Sequence, residues 1–177
     1  MRLGPIVLAC TLAVLPARSG EFRAGAGLFF LARDGVDLLV TYQPDRSPWV
    51  FGYRHVQWTD VFHDPFTDRR LSDTRETRSG PVVLWLFRPG ERGSWYLAGS
   101  LYRWTKREHS EFGGDSNQAS TTAPAAGGGY THRIGKALFW NAGMLLSPGT
   151  RLHTQTSTGS EDDSGTFDFL IQMGARF

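Results

Sequence analysis

The chain has 177 residues, with 19 Lys and Arg against 17 Asp and Glu, a single cysteine and 21 glycines. An apolar share of 40% with 13% aromatics excludes a disordered chain, and a formal charge of +2 with no concentrated basic stripe excludes a strongly basic nucleic-acid binder. No window approaches the roughly 18 to 20 continuous apolar residues of a membrane-spanning helix.

Met1-Arg2 is a short positive start, and Leu3 to Leu15 carries no charge before Pro16 breaks it. Ala17 and Ser19 then place small residues at the minus-three and minus-one positions of a cleavage after Ser19. This is the layout of a secretory signal peptide, too short to span a membrane. The expected organisation is therefore a signal peptide over 1–19 and one domain over 20–177. Cleavage would leave 17 basic against 17 acidic groups and remove Cys10, the only cysteine. That excludes disulfides, cysteine nucleophiles and cysteine zinc sites from the mature chain.

The remainder reads as eight strands. Residues 23–33 alternate, and Asp34-Gly35 predicts a tight hairpin turn into Val36–Gln43. Pro44 to Pro48 is a turn, Trp49 to about Phe62 a long aromatic strand, and 63–70 a charged connection. Leu71–Arg88 is a fourth strand, polar first and apolar later, and 88–93 a compact turn. Ser94 to about Arg107, Ala119–Ile134, Leu138–Thr156 and Thr166–Phe177 complete the set, with loops at 108–118 and 157–165 and a turn at 135–137. Short turns alternate with longer charged connections, and the strand count is even. Together these predict an all-β chain forming an eight-stranded antiparallel transmembrane β-barrel. The hairpin of strands three and four is longer than a bilayer requires, so Gln57 to Ser79 is expected to project above the membrane.

The last strand gives the sharpest signal. Phe167, Phe169, Ile171, Met173, Ala175 and Phe177 occupy every second position, with Asp168, Leu170, Gln172, Gly174 and Arg176 between them. One face is wholly apolar and the other mostly small or polar, as lipid outside and lumen inside demand. The terminal Phe with this alternation resembles the signal recognised by the barrel assembly machinery of Gram-negative bacteria. By architecture, the mature chain resembles the small eight-stranded outer-membrane barrels of the OmpA/OmpX/OmpW type. That resemblance implies the outer membrane of a Gram-negative bacterium, with outer-membrane lipid, lipopolysaccharide and the assembly machinery as partners.

Clean alternation places Arg23, Asp37, Thr41, Asn141, Asp168, Gln172 and Arg176 inward. Buried charges must pair, so a lumen charge network is expected in which Arg23 and Arg176 partner Asp37 and Asp168 across the closing seam. Near a rim the same groups would simply be solvated. Strands three and five carry aromatics on both faces and do not sort by alternation.

Little catalytic chemistry is legible. The five histidines show no HxxxH or HxH spacing, and no metal or cofactor is called for. Asp60, Asp64, Asp68 and Glu161-Asp162-Asp163 could hold a cation, although acidic loops are more often solvated. Gly127-Gly128-Gly129 lacks a following GK[ST] and sits in a strand, where it lets backbones approach. Small outer-membrane barrels include lipid A deacylases with a His-x-Ser pair on the penultimate strand. Here His153 occupies that strand, but Gln155 stands where the serine would be, and Ser157 lies two same-face steps away. The reading is a non-enzymatic barrel with a largely filled lumen, whose surface loops meet lipopolysaccharide, a ligand or a partner protein. A deacylase-like hydrolase and a narrow pore are the alternatives.

Overall fold

A computed structural model of the chain describes residues 20–28, 35–63, 66, 70–110, 116–156 and 159–177. Eight strands follow one another: β1 (Gly20–Gly27), β2 (Val36–Pro44), β3 (Trp49–His63), β4 (Arg70–Leu86), β5 (Gly93–Ser110), β6 (Ser116–Ile134), β7 (Leu138–Thr156) and β8 (Gly159–Arg176). Each pairs antiparallel with its neighbours, and β1 pairs with β8 from Arg23 opposite Arg176 to Gly27 opposite Gln172, closing the barrel. Closure removes the unpaired edges that an open sheet would leave.

Alternation then decides what each side chain meets. Trp49, Phe51 and Tyr53 of β3 point outward while Val50, Arg54, Val56 and Trp58 are buried inside. On β5, Trp95, Leu97 and Leu101 point outward, whereas Tyr96, Tyr102 and Trp104 fill the interior. The two strands that composition could not sort are thus divided by pairing register. Interior aromatics need space, and Gly129 and Gly143 supply it: a Cβ on either would collide with the Tyr96 hydroxyl.

The strands outrun the sequence reading at one end. β5 and β6 extend to Ser110 and from Ser116, and β7 and β8 remain paired up to Thr156 opposite Gly159. The expected loops at 108–118 and 157–165 are therefore mostly paired strand. Polar composition suggested a loop there, but a hairpin arm standing in water satisfies its backbone by cross-strand bonds whatever its side chains. Asp34 lies outside the described residues. The β1–β2 register, with Ala26 opposite Leu38, is centred on residue 32, which is not the pairing a two-residue turn at Asp34-Gly35 would give. Residues 1–19, where the leader is expected, also lie outside the described residues.

At the opposite end the connections are short, and Arg46, Gly90 and Gly135 adopt the left-handed backbone that tight turns require. β7 carries an irregularity between Ser147 and Arg151, with Gly149 at a φ of 76°. Ser147 donates to the Pro124 carbonyl at 2.6 Å and lies 2.8 Å from the Thr150 hydroxyl. The bulge keeps Ser147, Thr150 and Leu152 all buried despite the odd step between the first two.

Candidate functional site

Two places concentrate chemistry: the lumen and one sector of the outer wall. At mid-barrel Asp37 accepts from Arg54 Nε and a terminal nitrogen, both at 3.0 Å, and from the Gln172 amide at 3.2 Å. Arg54 also donates to the Phe169 carbonyl at 2.9 Å and reaches Asp168 at 3.8 Å. Asp168 in turn accepts from Arg78 at 2.6 Å, and Arg78 meets Glu76 at 3.3 Å. The guanidinium of Arg78 sits 4.8 Å from the Trp58 ring centre and 5.2 Å from that of Trp104. Trp104 donates to Glu76 at 3.0 Å. Acid and base thus alternate continuously across the lumen. The cavity bounded by Arg54, Arg78, Tyr102 and Asp168 has a volume of about 10 Å³, at or below what one water needs.

The four residues expected to form a single network are split between two clusters. Asp37 and Asp168 belong to the mid-barrel chain, and their partners are Arg54 and Arg78. Arg23 and Arg176 instead lie at the short-turn end, where both bind Glu21, which Arg133 also approaches at 3.3 Å. Arg23 additionally donates to Gln43. Their expected pairing with Asp37 and Asp168 is therefore corrected. Glu21 lies two residues before Arg23, on the same strand face and much nearer than acids several rungs higher. That same two-residue spacing was a signal available in the sequence. Arg54 and Arg78 were missed because their strands show no clean alternation.

The outer wall changes character along one row of paired residues. Tyr53, Pro81, Leu101 and Pro124 stand in register across β3–β6 and end the apolar rows of those strands. Beyond them the outward positions include Gln57, Thr77, Arg103, Thr105, Ser120 and Gln118, with Arg75 and Arg107 directly opposite each other and Val61 and Asp73 further along the same face. Arg75 donates to Gln57 at 2.6 Å, Arg107 to Gln118 at 2.8 Å and Arg103 to Ser120 at 3.4 Å. These residues line an open groove of about 490 Å³ with no carboxylate among the described residues of its lining.

No family model and no curated protein matches the sequence. Solved structures do resemble it. The N-terminal β-barrel domain of Pseudomonas aeruginosa OprF is 15% identical, with a TM-score of 0.56 over 90% of this chain and 97% of that one. Ail, the attachment invasion locus protein of Yersinia pestis, is 16% identical at a TM-score of 0.54, covering 90% and 97%. A major outer membrane protein from Thermus thermophilus is 12% identical at 0.55, covering 90% and 98%. The fold is that of the small eight-stranded outer-membrane barrels.

In an outer-membrane barrel the apolar outward rows are the lipid-facing belt. Phe167, Phe169, Ile171, Met173 and Phe177 of the last strand lie on that face, between 40% and 79% exposed, and Ala175 shares it. Near the short-turn end Trp95, Tyr130, His132 and Trp140 cluster with ring centres 5.2 to 6.3 Å apart. His153 is exposed on β7 beyond the bulge, and Ser157 lies outside the described residues. Among the described residues no three His, Cys, Asp or Glu side chains gather as a metal site.

Proposed function

We propose that the chain is a non-enzymatic, non-conducting outer-membrane barrel that anchors a stiff β-structured extension as an interaction surface. The observation that carries this reading is the lumen. The chain from Asp37 through Arg54, Asp168 and Arg78 to Glu76 crosses the interior, and the cavity beside Arg54 and Arg78 has about 10 Å³. The partners of such a surface are outer-membrane lipid, lipopolysaccharide or a protein or ligand from outside. Ail supplies a chemical hint, since one of its structures holds the heparin analogue sucrose octasulfate.

The supporting sequence features are the signal-peptide layout of residues 1–19 and the alternating apolar row from Phe167 to Phe177. In this reading the barrel assembly machinery recognises that row, and Phe177→Asp lowers the folded yield in cells. Heat-modifiable gel mobility of protein recovered from outer-membrane fractions tests the whole reading. Recovery as a soluble periplasmic monomer contradicts it. His153 serves as an exposed polar residue. His153→Ala is expected to leave the acyl-chain count of lipid A unchanged by mass spectrometry, and a chain lost only with intact His153 would make the protein a deacylase.

A further inference from the structure

Among the described residues, two pairs of arginines face each other across strands. Arg23 and Arg176 are opposed inside, and Glu21 stands between them and neutralises part of their charge. Arg75 and Arg107 are opposed on the outer wall, where the described lining of the groove they share with Arg103 holds no acid. Like charges directly opposite one another are destabilising in a sheet. Each outer guanidinium is steadied by a neutral amide or hydroxyl from the flanking strand, Gln57, Gln118 or Ser120, which fixes its position. Three positioned guanidiniums around a groove whose described lining holds no carboxylate are complementary to an anion, with Asp73 two residues beyond Arg75 on the same face.

Their height identifies the anion. The apolar outward row of β5 ends at Leu101. On a tilted strand, positions two and six residues further on rise roughly 5 and 14 Å above that edge. Arg103 therefore sits in the interfacial layer, which extends about 5 to 8 Å beyond the hydrocarbon. Arg107 and its partner Arg75 stand above it. A glycerophospholipid phosphate reaches only the lower level. A taller headgroup bearing several phosphates reaches both.

We propose that Arg75, Arg103 and Arg107 form a seat for the phosphorylated saccharide headgroup of an outer-leaflet glycolipid, whose acyl chains lie along the apolar rows beneath. This deepens the proposed function and rests on the outer-membrane placement. Arg103 takes the phosphate nearest the acyl chains, and the opposed pair takes anionic groups further out. Gln57, Gln118 and the Thr77–Thr105 pair supply hydrogen bonds to sugar hydroxyls between them.

The test is binding of phosphorylated lipid A carrying its inner-core sugars to the full barrel in nanodiscs. Wild type is compared with Arg75→Gln/Arg103→Gln/Arg107→Gln and with Arg88→Gln/Arg92→Gln, which removes two charges at the opposite end. The expected result is an affinity about 30-fold weaker for the triple variant, unchanged for the double variant, and similarly weak when wild type meets the dephosphorylated glycolipid. Unchanged glycolipid binding by the triple variant, or an equal loss in the double variant, overturns the seat. So does binding of sucrose octasulfate that depends on these arginines while glycolipid binding does not, which would make the occupant a soluble polyanion. Gel mobility of each preparation keeps the two levels apart. A heat-modifiable barrel lacking the triple-variant effect refutes the seat alone, whereas a protein that forms no membrane barrel refutes the reading beneath it as well.

Discussion

The arginines inside the barrel and those on its outer wall are the same residue type put to opposite uses. Inside, Arg54 and Arg78 are less than a tenth exposed, and each is held by carboxylates. Outside, Arg75, Arg103 and Arg107 are exposed and held by neutral groups. A buried charge must be matched within the fold, because desolvation otherwise costs several kcal/mol. An exposed charge is free of that demand and can be left for a ligand. On the proposed reading the interior set seals the barrel and the exterior set meets a ligand.

The largest expected effect comes from unmatching the interior. Asp37→Ala leaves Arg54 without its two-bonded partner and is expected to cost about 3 to 5 kcal/mol in urea unfolding from lipid. Asp37→Ala/Arg54→Ala is expected to cost less than the single change, since no buried charge then remains unmatched. A double variant as unstable as the sum of its singles would break the contrast between the two arginine sets. Next comes charge placed where neither set tolerates it. Met173→Arg puts a cation on the lipid-facing row of β8 and is expected to cost about 2 to 4 kcal/mol if the site lies near the midplane. Gly143→Val overpacks the wall beside Tyr96, with an expected cost of about 1 to 3 kcal/mol and loss of near-ultraviolet aromatic signal. The smallest effect belongs to the exterior set. Arg75→Gln or Arg107→Gln is expected to change stability by no more than about 0.5 kcal/mol without glycolipid, tending toward stabilisation as the opposed charges separate.

Much of the architecture was legible because a barrel wall writes a period of two into its strands. The row from Phe167 to Phe177 and the inward positions of Arg23, Asp37, Asp168 and Arg176 follow from that period. Partner choice was not legible. Arg23 and Asp37 share a facing, yet they sit at different heights, and height depends on strand stagger, which no single strand records. For the same reason Glu21 captured the arginines expected to cross the seam. The paired stretches within 108–118 and 157–165 read as loops in the sequence because their residues are polar and Gly-containing. There, backbone bonding between strands, rather than side-chain burial, maintains the structure. The outer arginines stood in plain sight, but their significance came from Arg75 facing Arg107, a register fact.

The most direct measurement is ionic current through the purified wild-type protein in planar bilayers at neutral pH. The continuous pairing from Asp37 to Glu76 across the interior predicts no steady conductance above that of protein-free bilayers. Stable, protein-dependent single-channel openings would show that the interior charges line a pore instead of closing one.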